Sequence, residues 1–136
     1  MNIVIDTNVF ISALIKNSIT RELIINSKNN LLFPELELEE IEKHKKEILK
    51  KSGLSEGEFY ILLLNLLKHV IIIKTKDIIN YRKRSFNIIG KIDKDDIIFF
   101  ATSLAFKCPI WSEDKDLKKQ NKVKILNTRD IIASLK

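Results

Sequence analysis

An alternation of two patterns constrains this chain most. Short apolar runs at 2–6, 31–33, 70–73, 109–112 and 123–126 are separated by stretches whose apolar residues recur at helical spacing. Strands that each feed into a helix are joined by right-handed crossovers. The expected fold is therefore α/β, a parallel five-stranded sheet covered by helices on both faces.

The helical stretches carry end signals. Val9, Phe10, Ala13 and Leu14 form an apolar face directly after the first run. Pro34 suits a first helical turn and Glu35 and Glu37 complement the dipole, so a helix over about 34–51 is predicted, closed by Gly53. Ser55 and Glu58 make a capping box ahead of Phe59, Leu62, Leu63 and Leu66. A basic helix is expected over 77–89, ending at Gly90. Asp93 is placed as the cap of the next helix, which turns Ile97, Phe99, Phe100, Leu104 and Ala105 inward. A last helix starts near Arg129.

The 136 residues contain no linker-like segment, which fits a single domain over 1–136. No apolar run reaches the roughly 18 residues of a membrane span, and Asp6 and Asn8 interrupt the first apolar segment, so neither a membrane anchor nor a secretory leader is expected. The expected location is cytoplasmic. Cys108 stands alone, which rules out an internal disulfide and reads as a small buried apolar side chain.

In a parallel sheet, ligands bind beyond the carboxyl ends of the strands. Asp6 ends the first run and Asp114 lies two residues past Ser112, which ends the fourth. Asp96 sits in the first turn of the helix that feeds the fourth strand, and Glu40 in the second turn of the helix after the second strand. Four acids from four connections are thus expected at one edge. Carboxylates that close repel one another unless a cation joins them, and an all-oxygen donor set suits Mg2+ or Mn2+. Such an ion promotes phosphodiester hydrolysis.

Each acid also has an ordinary reading. Asp96 belongs to Asp93-Lys94-Asp95-Asp96, which fits a helix start. Glu40 belongs to an acidic run most of which faces water, with Glu37 as the alternative position, and Asp114 and Asp116 resemble common turn residues. Asp6 is harder to explain away, because an acid directly after Ile3-Val4-Ile5 is partly buried and needs a partner. Neither histidine is expected as a base: His44 lies in a charged run and His69 beside the third strand.

The net charge is +6, from 24 Lys+Arg against 18 Asp+Glu, which favours a polyanionic partner. With RNA as ligand, Arg82, Lys83 and Arg84 are the expected phosphate contacts, Tyr81 a stacking surface, and Lys43 and Lys46 further contacts on a basic helix. A solvated charged face fits the same residues.

Over nearly its whole length the chain resembles the PIN-domain nucleases. Val4-Ile5-Asp6-Thr7-Asn8-Val9-Phe10 is similar to the family's opening motif, and Pro34-Glu35-Leu36-Glu37-Leu38-Glu39-Glu40-Ile41 to the segment bearing its helical glutamate. Ile92-Asp93-Lys94-Asp95-Asp96 with Phe99 and Ala101 resembles the third motif, and Pro109-Ile110-Trp111-Ser112-Glu113-Asp114-Lys115-Asp116-Leu117 the fourth. The resemblance implies a three-layer αβα sandwich with strand order 3-2-1-4-5 and Mg2+- or Mn2+-dependent cleavage of single-stranded or structured RNA. It implies Asp6, Glu40, Asp96 and Asp114 as the catalytic, metal-site acids, Asp116 as a fifth ligand, and Asn8 and Ser112 as orienting neighbours. Many relatives pair as homodimers, and many small stand-alone members are VapC-type toxins neutralised by an antitoxin protein. The alternative function is a catalytically inactive PIN-like module that binds RNA or protein. A phosphate-accepting receiver domain fits poorly, because Asp6 is followed by Thr7-Asn8 and Ile73 by Lys74.

Overall fold

The computed structural model describes residues 1–135. Five strands form one sheet: β1 (Asn2–Ile5), β2 (Asn30–Pro34), β3 (Val70–Ile73), β4 (Ile110–Trp111) and β5 (Ile125–Leu126). All neighbouring pairs run parallel, in the order β3-β2-β1-β4-β5. The expected α/β sandwich and its strand order are both present.

Side-chain alternation along the strands divides the interior into two cores. Ile3 and Ile5 of β1, Leu31 and Phe33 of β2 and Trp111 of β4 face one side. There they pack with residues of α1 (Thr7–Ile15), α2 (Ile19–Ile25), α3 (Leu38–Lys43), α4 (Lys45–Ser52), α5 (Glu56–Leu67) and α8 (Thr128–Ser134). Phe10 and Phe33 stack in this core with ring centroids 5.2 Å apart. Val4, Leu32 and Ile110 face the other side, against Phe99 and Phe100 of α7 (Ile97–Phe106) and Ile78 and Ile89 from the segment before it. Every buried strand is therefore apolar on both faces, which is why the runs read as continuous rather than alternating.

Several boundaries differ from the sequence reading. The predicted helix over 34–51 divides into a 3-10 turn at Glu35–Glu37, α3 and α4, with His44 between the last two in a non-helical conformation. Gly53 closes α4 as expected, in the left-handed region at φ 75°. The capping box of Ser55 and Glu58 opens α5. In place of one basic helix over 77–89 there are 3-10 turns at Thr75–Asp77 and Ile79–Tyr81, then α6 (Arg82–Ser85) and a π turn at Phe86–Gly90. The Phe86 ring folds against Gly90 where any Cβ would collide with it. β4 and β5 are two residues each, shorter than their apolar runs. The helix α2 has no counterpart in the sequence reading, since seven residues are too few to display a helical period clearly.

Sheet pairing also aligns the strand ends. The Asp6 amide donates to the Trp111 carbonyl at 3.0 Å and the Ser112 amide to Leu126 at 2.9 Å. The chain therefore leaves β1 and β4 side by side, and whatever follows Ile5 and Trp111 shares one edge. Trp111 itself is buried, and Cys108 is half-buried, its thiol pushed up to about 11 chiefly by burial. No helix among the described residues is long and apolar enough to cross a membrane.

Candidate metal centre

Asp6 is the fixed point of that edge. It caps α1 from an extended backbone, one oxygen accepting the Asn8 amide at 3.1 Å. The other oxygen accepts the Ser112 hydroxyl at 2.6 Å, a bond between residues 106 apart in sequence. Ser112 Oγ in turn accepts the Asp114 amide at 3.1 Å. One buried serine thus ties the loop after β1 to the loop after β4. Asp114 caps the following 3-10 turn through the Asp116 amide at 2.9 Å, and Asp93 caps the Lys94–Asp96 turn through the Asp95 amide at 3.0 Å. Three ordinary caps therefore place three acids at one sheet edge.

A cleft of about 370 Å³ opens there. Seven acids line it: Asp6, Glu37, Glu40, Asp93, Asp95, Asp96 and Asp114. The four acids singled out from the sequence all belong to it, with Asn8 beside them. Carboxylate oxygens of Asp93, Asp96 and Asp114 lie within 4.8 Å of one another. Two oxygens bound to one Mg2+ at about 2.1 Å stand at most about 4.2 Å apart, so this trio is close to coordination spacing. All donors in it are hard oxygens, the set that Mg2+ and Mn2+ prefer. The residues present fit such an ion.

The protonation energetics agree with that fit. Asp96 is 8% exposed; burial, a hydrogen bond shared with Asp93 and the charges of Asp6, Asp93 and Asp114 push its carboxyl up to about 8. Asp6 is also raised, chiefly by burial, although the Ser112 and Asn8 hydrogen bonds oppose the rise. Glu37 is raised by burial and by Glu40, Asp6 and Asp95, against a hydrogen bond from Thr7 at 2.8 Å. In each case burial is the largest cause, and neighbouring carboxylates add to it.

Asp93, Asp95 and Glu37 are the cleft acids outside the set expected from sequence. Asp93 reads as a cap and is one, yet it also joins the carboxylate trio. Glu37 reaches the cleft because residues 35–37 form a 3-10 turn rather than the start of an α-helix, which changes the angular phase of the acidic run. Glu40 lines the cleft and pairs with Lys43 at 3.0 Å. His44 lines it too, its Nδ1 2.7 Å from the Glu40 carbonyl. Since a carbonyl only accepts, Nδ1 carries the proton. Asp116 is exposed, pairs with Lys119 at 3.0 Å and does not line the cleft. Lys46, Arg82, Lys83 and Arg84 are exposed and also lie outside its lining.

A parallel αβα sandwich with a carboxylate-rich cleft at the carboxyl edge of its strands defines an α/β protein whose acids gather where such sheets bind their ligands. The chain belongs to the PIN-domain family, a family of nucleases, whose sequence profile matches residues 4–136. The crystal structure of VapBC2 from Rickettsia felis, bound to a DNA fragment from their promoter, contains a similar fold. The match has a TM-score of 0.71 at 16% identity and covers 93% of this chain and 98% of that one. A comparison with curated protein sequences returns no match.

Proposed function

We propose that this protein is a metal-dependent endoribonuclease that hydrolyses phosphodiester bonds of single-stranded RNA in the acid cleft. The observation that carries the reading is the trio Asp93, Asp96 and Asp114, whose oxygens converge within 4.8 Å beside the buried Asp6. Asp93, Asp96 and Asp114 would hold the ion, with Asp6 and Glu40 completing the acidic surround, while Asp116 is paired with Lys119 outside the cleft lining. A divalent cation bound there supplies Lewis acidity toward a phosphate and lowers the pKa of a water.

The chain's own residues do the remaining work. Asp6 accepts two hydrogen bonds, so its carboxylate is held before any ligand arrives and loses little freedom on binding. Ser112 fixes the Asp6 side chain and the Asp114 backbone together, which keeps acids from two loops in register. Phe99 gives the cleft wall an apolar patch. Lys43 reaches the rim through Glu40 and can meet a phosphate approaching an otherwise anionic cleft. The basic residues Lys46, Arg82, Lys83 and Arg84 are exposed and free to contact RNA phosphates beyond it.

We infer a biological setting from the same family: a toxin whose partner is an antitoxin protein, acting as a homodimer. The VapBC2 structure, a complex by its name, supports that choice through shared fold. The test of activity is incubation with mixed single-stranded RNAs in Mg2+ or Mn2+. Cleavage that appears with the cation and disappears on adding EDTA is the expected result. Metal-independent cleavage would overturn the mechanism, and salt-dependent RNA binding with no cutting would select the inactive binding module instead.

A further inference from the structure

Without a cation the acid cleft is a poor place to gain affinity for RNA, because a lining with seven acidic residues disfavours a phosphodiester strand. Affinity for such a strand has to come from elsewhere. At the other end of the sheet lies a groove of about 440 Å³, lined by Tyr81, Arg84, Lys107, Lys122 and Lys124 together with Pro109 and its neighbours. Pro109 precedes β4 and Lys124 precedes β5, whereas Asp114 follows β4. Along α7, Asp96 and Phe99 at the first turn line the cleft, and Lys107 just past the last turn lines the groove.

Three features describe this groove. None of its ten lining residues is acidic. Arg84, Lys107, Lys122 and Lys124 are all exposed, and among the described residues none of the four takes part in an ion pair. Third, Lys107 occupies a left-handed backbone conformation, φ 52°, at the end of α7. Glycine ordinarily fills that position, and a side chain there costs roughly 1 kcal/mol. A lysine anywhere in the last turn would complement the helix dipole without that strain, so dipole complementarity alone does not account for it. The ten residues of α7 span about 15 Å, beyond the Debye length of about 8 Å at physiological salt. The acids of the cleft therefore do not neutralise the field of the groove.

The geometry points to this groove as a second nucleic-acid contact that holds the phosphodiester backbone of single-stranded RNA away from the acid cleft. Arg84 offers forked donors to phosphate and the three lysines offer point charges. Tyr81 offers a ring on which an unpaired base stacks, a contact that a duplex cannot make. The choice of RNA rests on the ribonuclease reading; the polyanionic class of the ligand rests on the groove alone.

The test measures binding of a labelled single-stranded RNA oligonucleotide by fluorescence anisotropy, with the full chain in EDTA so that no cutting is required. One variant combines Arg84→Ser, Lys107→Gly, Lys122→Ser and Lys124→Ser. Its control removes the same charge elsewhere, through Lys16→Ser, Lys28→Ser, Lys50→Ser and Lys74→Ser. The groove variant is expected to bind at least about tenfold more weakly than the control, and its slope of log affinity against log salt to fall by about 3, as for four lost single-strand phosphate contacts. Equal weakening of the two variants would overturn the proposal, and groove-dependent binding that favours duplex DNA over the RNA would overturn the single-strand assignment. Lys107→Gly alone guards against misfolding of the combined variant. It is expected to weaken RNA binding about two- to threefold while the melting temperature holds or rises, and unchanged affinity in that variant would count against the groove. A wild type that cuts no RNA would defeat the nuclease reading, yet the binding comparison would still decide this site.

Discussion

Asp96→Asn is expected to reduce metal-stimulated RNA cleavage at least about 100-fold, more than the roughly 10- to 100-fold that follows loss of a partner merely supporting a metal ligand. The chain should remain folded. Asparagine keeps the shape and one acceptor oxygen but cannot supply the negative charge that a cation requires. Asp96 also stands at the start of α7, where an anion favours the dipole by about 0.3–1 kcal/mol. That small loss is offset, because at neutral pH the buried Asp96 already retains most of its proton, with its carboxyl raised to about 8. Gel assays of single-stranded RNA cleavage beside urea unfolding of the same protein measure both halves. Full activity in a folded Asp96→Asn protein would remove Asp96 from the site.

The metal-free protein should lose stability as pH rises from about 4 to above 8. In the unfolded chain Asp96 releases its proton near its ordinary value of 3.8, and in the folded chain only near 8. Between those values the folded state binds the extra proton, so each increase in pH favours unfolding. The stabilisation is fully present below the unfolded value and is lost as pH passes through the folded one. At about 1.4 kcal/mol per pKa unit, the effect for this buried carboxyl is on the order of a few kcal/mol. Asp6 and Glu37 are raised as well and add to it with the same sign. Saturating Mn2+ should reverse the trend, because the ion displaces the proton and its affinity rises with pH. Asp96→Asn should flatten the metal-free profile. Thermal melts across this pH range, with and without Mn2+, provide the measurement, and a metal-free stability that increases steadily with pH would contradict the charge balance described for the cleft.

Much of this arrangement was legible in the residues, for identifiable reasons. The strands were visible because both faces of a covered parallel sheet are apolar, so Ile3-Val4-Ile5 and Leu31-Leu32-Phe33 stand out against helical spacing. Asp6 was visible because a carboxylate directly after a buried strand has few explanations. Asp93 was partly hidden by its own chemistry, since a cap and a cleft acid look alike in sequence. Glu37 was hidden by the 3-10 turn, whose tighter winding no residue pattern in 34–40 announces. The segment 77–90 misled for a different reason. One helix with a strongly basic middle is expected there from sequence, whereas the short turns and the Phe86 contact with Gly90 are decided by tertiary packing. Arg84 is expected from sequence as a phosphate contact, but its place in the groove depends on how α6 packs against α7, which local sequence does not encode.

Metal-dependent cleavage in this cleft requires carboxylates distant in sequence to share one cation. Crystals equilibrated with Mn2+ and measured for anomalous scattering test that directly. An anomalous peak within coordinating distance of Asp96 and Asp114, with Asp93 adjoining, is the predicted result, and a cleft without bound metal at saturating Mn2+ would contradict it.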